Sequence, residues 1–221
     1  LLIEPTSPRF RVLAALSSGD VSDLGSDSGP QARWVRVRHV FGEFADLPTI
    51  RSSVLALDQT ARSALWPMQL YWVELIEARA AFEAGDQQVS DVVFEQHAGP
   101  LEELYELERI DLAARLKRFV WADEVATSLP SSFSANATRR SEVLSELLLA
   151  KGRAEEALVL LTSADTPRDR LVRALSALAV TTTATARSAV NVEAELTELT
   201  QHGLLGLRAS LGLVQEFIRT R

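Results

Sequence analysis

Residues Ser141 to Pro167, SEVLSELLLAKGRAEEALVLLTSADTP, leave a chain little choice of architecture. They read as two short helices joined at Gly152 and closed by a proline. Val143, Leu144, Leu147 and Leu148 stripe the first helix, and Ala157, Leu158, Leu160 and Leu161 the second, at the three- and four-residue steps of helical periodicity. Glycine suits the end of the first helix because it enters the left-handed conformation without a Cβ clash. Thr166 is placed to cap the next helix, with Pro167 at its first position. So small a pair cannot cover its own apolar faces and needs neighbours of the same kind.

The wider chain repeats this punctuation. Prolines fall at 30, 67, 100, 130 and 167, with Pro48 out of series. Shifting the chain by 67 residues places Gly85 on Gly152, Pro100 on Pro167, Ala81 on Leu148, Ser90 on Ala157, Val93 on Leu160 and Phe94 on Leu161. That shift is two periods of about 34 residues, the length of a helix-turn-helix repeat. The expected fold is all-α: about five helical hairpins over 30–66, 67–99, 100–129, 130–166 and 167–203, then a terminal helix over 204–221. These make one repeat domain, 30–221, after an N-terminal segment, 1–29. In that segment a short helix is expected from Ser7 to Leu16, and a mobile loop from Gly25 to Pro30.

Within the first unit, Trp34, Val37, Phe41 and Phe44 stripe one helix, and Ile50, Val54, Leu57, Ala61 and Leu65 a second running from Pro48. RWVRVRHV also alternates like a strand, but the helical stripe outlasts the alternation. The helix after Pro67 is apolar on two sides, as an inner helix of a stack requires. Residues 100–129 read either as one long helix or as two, the second capped by Asp111. SLPSSFSANA and TTTAT read as loops.

LLLAKGRAEEALVLLTSADTP resembles the tetratricopeptide repeat, whose small turn residue, two alanines, large residue and closing proline correspond to Gly152, Ala157, Ala164, Leu161 and Pro167. Gly85, Phe94 and Pro100 keep part of the pattern one double period earlier, with Ser90 and His97 at the alanine places. The resemblance implies an α-α superhelix. Degenerate arrays of this sort are similar to the sensor arms of LuxR-type bacterial transcription activators related to the maltose regulator. In that family the repeats receive an inducer or a regulatory protein, between an ATPase module and a DNA-binding helix-turn-helix. Neither module lies in this sequence.

The charge is −7 overall, and from Met68 to Arg115 eleven acids face three arginines. An acidic chain argues against a nucleic-acid surface, so no direct contact with nucleic acid is expected. Arg33, Arg36, Arg38 and His39 form the one basic cluster weighed for that role. With no cysteine, disulfides and thiolate sites are excluded. No phosphate loop, dinucleotide fingerprint, nucleophile elbow or His-Glu-x-x-His motif occurs, and His39, His97 and His202 lie far apart. No catalytic residue, cofactor or metal ligand is therefore assigned. Glu102, Glu103, Glu106 and Glu108 read as a solvated face, and Trp34, Trp66, Trp72 and Trp121 as packing residues. No apolar run approaches a membrane span. The chain starts at Leu1 without a signal peptide, which reads as a trimmed piece of a longer, cytoplasmic protein.

First helices of stacked hairpins commonly line the binding surface. That rule points to Trp72, Arg79 and Phe82 in the second unit and Arg139, Glu142 and Glu146 in the fourth. The expected function is a non-catalytic module that binds a protein or peptide segment, or a small-molecule effector, within a bacterial regulator, with a homodimer as one assembly. A free-standing adaptor and an all-α enzyme with a site built from distant residues are the alternatives.

Overall fold

The computed structural model describes residues 7, 11–12, 14–15, 20–42, 45–86, 91–95, 101–129, 136–161, 166–180 and 191–220. Among these, eleven α-helices and two 3-10 turns are present and no strand. They group into two compact units, Leu1–Val93 and Phe94–Arg221.

In the first unit, α1 (Pro30–Gly42) packs on α2 (Leu47–Leu55) and α3 (Gln59–Ser63), and α2 packs on α4 (Pro67–Glu83). The stripe Ile50, Val54, Leu57, Ala61 and Leu65 is buried throughout, yet the single helix expected to carry it is broken in two. Asp58 causes the break: its carboxylate accepts from Ala61 N at 2.8 Å and caps α3, as Asp46 caps α2 through Thr49 N at 2.8 Å. Gln31 and Gln69 exchange amide hydrogen bonds, joining α1 to α4. The loop expected to be mobile is held instead, because Arg36 donates to Gly25 O at 2.9 Å and Asp27 O at 2.6 Å. Arg11–Val12 and Ala14–Ala15 are helical, while Phe10, Leu13, Leu16 and Phe44 lie outside the described residues.

The second unit is a run of hairpins: α5 (Glu103–Arg115) with α6 (Phe119–Ser128), α7 (Ala137–Ala150) with α8 (Ala154–Leu160), and α9 (Pro167–Ala179) with α10 (Val192–Leu199), followed by α11 (Gly203–Thr220). Each first helix packs on the next, α5 on α7, α7 on α9 and α9 on α11, and each second helix also packs on the following first helix. Successive hairpins are therefore neighbours in space. Residues 100–129 form two helices, and Asp111 is no cap: it sits within α5, 0% exposed. Thr166 caps α9 as expected, its Oγ1 accepting from Asp169 N at 3.0 Å.

Three helices end the same way. Gly85, Lys117 and Gly152 have φ of 88°, 60° and 77°. In each the next residue's N–H reaches the carbonyl five back: Asp86 to Ala81 at 3.0 Å, Arg118 to Ala113 at 2.8 Å, Arg153 to Leu148 at 2.8 Å. This closes the last turn of the helix with a left-handed residue. Lys117 occupies the place where the period calls for a glycine, which is why the sequence shows no turn there.

The repeat positions Ala157 and Leu161 are buried. Ser90, His97, Pro100, Ala164, residues 130–135 of the SLPSSFSANA loop and the TTTAT turn lie outside the described residues.

Candidate functional site

The first helices of the second unit share a polar seam below their surface. α5 contributes Glu108, Asp111 and Arg115, α7 contributes Arg139, Glu142 and Glu146, α9 contributes Arg168, and α11 contributes Arg208. Arg168 Nη2 lies 2.6 Å from Asp111 Oδ2, and its Nη1 3.9 Å from Glu108 Oε2. Arg139 bonds Glu108 at 2.7 Å and Glu142 at 3.0 Å. Arg115 Nε lies 3.3 Å from Asp111, and Arg208 Nη2 bonds Glu146 at 2.6 Å. Thr166 Oγ1 donates to Glu142 Oε1, tying the start of α9 to α7.

Four carboxylates thus face four guanidiniums, and every carboxylate has an arginine against it. Burial pushes Glu108 up, but Arg139 and Arg168 outweigh it and hold the group below the ordinary glutamate value. Burial likewise pushes Glu146 up, and Arg208 and Arg115 overcome it. Arg168 is pulled down by burial and raised further by Asp111 and Glu108, so it stays charged. All three remain ionised at neutral pH. Glu108, Glu146 and Arg168 therefore have no proton to exchange there.

This locates the residues singled out from sequence. Glu142 and Glu146 are buried, 5% and 3% exposed, and Arg139 is nearly so, all three in ion pairs within the unit. In the first unit Trp72 is 1% exposed, with the Arg38 guanidinium 3.7 Å from its ring centre. Arg79 pairs with Glu83 at 2.8 Å, and Phe82 is half-buried. Arg139, Glu142 and Glu146 are brought together in one network, and Trp72, Arg79 and Phe82 share α4.

Sequence reasoning missed Asp111, Arg115, Arg168 and Arg208. One signal was present: Arg168 stands in the first turn of its helix, where a cation meets the positive end of the macrodipole, so an acidic partner had to be near. Glu108, read as solvated, is buried, and Glu106 is raised by burial despite the lowering effect of Arg109.

The basic cluster of α1 is also engaged internally. Arg33 bonds Ser28 O, Ala56 O and Asp58, Arg36 bonds the preceding loop, and Arg38 covers Trp72. Of the tryptophans, Trp34 and Trp72 are buried. Trp121 is half-buried and donates Nε1–H to Phe94 O at 3.1 Å, whereas Trp66 stands 70% exposed at the start of α4.

Two open hollows are described in the second unit: a polar one along α10, lined by Asn191, Glu193, Ala194, Thr197 and Glu198, and an apolar one between the second helices of the first two hairpins. α6 and α8 diverge over α7 and leave a groove of about 290 Å³. Leu144, Leu147 and Leu148 of α7 floor it, Ala126 and Thr127 line one wall and Leu160 the other, with Lys151, Arg153 and Asp123 at one end. Lys151 Nζ bonds Asp123 Oδ2 at 2.7 Å, a half-buried pair marking the polar rim. Leucines reach this surface because α7 and α8 are joined by a tight turn at Gly152, which sets α8 to one side of α7.

No group of three or more histidine, aspartate or glutamate side chains among the described residues is placed to hold a metal ion. No helix among them is long and apolar enough to cross a membrane. Comparison with known proteins found no family model that matches the chain, no similar curated protein and no similar solved structure.

Proposed function

We propose that the chain is a non-catalytic helical-hairpin module, of the tetratricopeptide-like superhelix type, that binds a protein segment in the groove between α6 and α8. One observation carries this reading. The carboxylates of the buried seam are matched to arginines, while the apolar one of the two hollows is an open trough floored by Leu144, Leu147 and Leu148. Substrate chemistry needs a group free to exchange a proton or meet a reacting atom. Docking needs apolar surface with a polar edge. The groove falls at the lower bound of about 300 Å³ for ligand pockets, room for a couple of aliphatic side chains. Two leucine-like anchors one helical turn apart would fill it, with the Lys151–Asp123 pair meeting the polar flank of the same segment.

The resemblance to sensor arms places such a module inside a longer regulator, and the adaptor reading places it alone. Both rest on sequence.

The test is selection of binders from a random peptide library against the 221-residue chain, followed by titration of the selected peptides into Leu148→Lys and Arg139→Ala. The reading expects peptides with paired aliphatic anchors, weakened at least tenfold by Leu148→Lys. Equal binding to Leu148→Lys, or no selected peptide, overturns it.

A further inference from the structure

α11 is apolar on two opposite sides. Its inner side packs Leu205 and Ala209 against the body. Gly212 belongs to that side, since a Cβ there would stand 2.9 Å from Leu175 Cδ2 and 3.0 Å from Leu196 Cδ1. The outer side carries Leu207, Leu211, Val214 and Ile218, flanked by Phe217, and these five are 55–70% exposed. Their positions on the helix place this stripe almost diametrically opposite Leu205 and Ala209. Burying α11 on α9 and α10 therefore leaves the stripe in water.

We infer that this stripe is a self-association seam on which a second copy of the chain pairs its own α11 in antiparallel orientation. The spacing supports that occupant. Steps of four, three and four residues from Leu207 to Ile218 read the same in both directions. A copy turned about a two-fold axis through the middle of the stripe then sets Leu207 beside Ile218 of the second copy, and Leu211 beside its Val214. This is the layer arrangement of a two-stranded seam with a 4-3-4 pattern, and the same patch serves both partners, as an isologous dimer demands. No charged residue stands in the four seam positions, so pairing strands no ion. The exposed parts of the four seam side chains and Phe217 on two copies amount to roughly 1,000 Å², the size at which specific interfaces begin. This inference is independent of the groove reading, because α11 lies outside the groove.

Sedimentation of the 221-residue chain tests it. The expected mass is twice 24.3 kDa at micromolar concentration. Leu211→Glu and Val214→Glu should each return it to the single-chain mass with an unchanged helical circular dichroism spectrum. Because the chain holds no cysteine, orientation can be read cleanly. Leu207→Cys mixed with Ile218→Cys should form an intermolecular disulfide on mild oxidation, and Leu207→Cys alone should not. A single-chain mass at every attainable concentration overturns the inference, as does a dimer that survives Leu211→Glu. A disulfide formed by Leu207→Cys alone overturns the antiparallel arrangement.

Discussion

Arg168 of α9 reaches past α7 to Asp111 of α5, and its Nη2 stands 2.6 Å from Oδ2 with the residues 1% and 0% exposed. Arg208 repeats the move one hairpin later, passing α9 to reach Glu146 on α7. Each tie joins a first helix to the one two places along, so the seam fixes the register of three hairpins rather than of adjacent pairs. A buried ion pair gives little net stability over a well-packed apolar pair, but removing one partner strands the other's charge. Arg168→Ala should accordingly cost about 3–5 kcal/mol. Arg168→Leu combined with Asp111→Leu should recover much of that loss. Urea denaturation of Arg168→Leu, Asp111→Leu and the double variant measures the coupling, and additive losses would contradict it.

The seam also sets a pH dependence. Glu108 and Glu146 titrate below the ordinary 4.5 of a free glutamate, so at pH values under about 4.5 the unfolded chain binds more protons than the folded one. Stability is then fully present above that value and declines as the pH falls through the folded values. Glu106, raised by burial, works in the opposite sense. Thermal melts from about pH 5 down to pH 3 should show the decline, and Glu106→Gln should steepen it.

Lys117 takes the same left-handed turn as Gly85 and Gly152 but carries a Cβ and an exposed side chain. The left-handed conformation costs a non-glycine residue roughly 1–2 kcal/mol. Lys117→Gly should stabilise the chain by about 1 kcal/mol, after the added entropy of the unfolded state is offset. Gly152→Ala should destabilise it by a similar amount. Denaturant midpoints of the two variants test the pair, and shifts of the same sign would contradict the shared geometry.

Gly212 lets α11 lie against Leu175 and Leu196. A valine there must displace both leucines, and overpacking of this kind costs about 1–3 kcal/mol. Gly212→Val should speed amide exchange in α11 and α10 while leaving α5 protected.

The helical class, the turn glycines and the cap at Thr166 were legible because local chemistry produces them. Periodic leucines, glycines free to adopt positive φ and a Thr-Pro start announce themselves within a few residues. The division of 100–129 was not legible, because Lys117 takes the left-handed turn with no glycine to mark it. Nor was the break at Asp58, since an unbroken apolar stripe hid a cap. The seam lay furthest out of reach. Glu108, Asp111 and Glu146 look like ordinary charged faces until α9 and α11 bring Arg168 and Arg208 from about 60 residues away in sequence. Charged residues read as surface by default, and that default hid the burial of Glu142 and Glu146 in ion pairs.

The central claim is that the shared face of the first helices is closed by its own ion pairs, so binding falls to the groove between α6 and α8. Methyl-labelled NMR spectra recorded as a selected peptide is added test it most directly. The account predicts shifts at Ala126, Leu144, Leu148 and Leu160, with the methyls of Val143 and Val172 unmoved. Shifts centred on Val143 and Val172, or a bound state that releases Arg139 from Glu108 and Glu142, would contradict it.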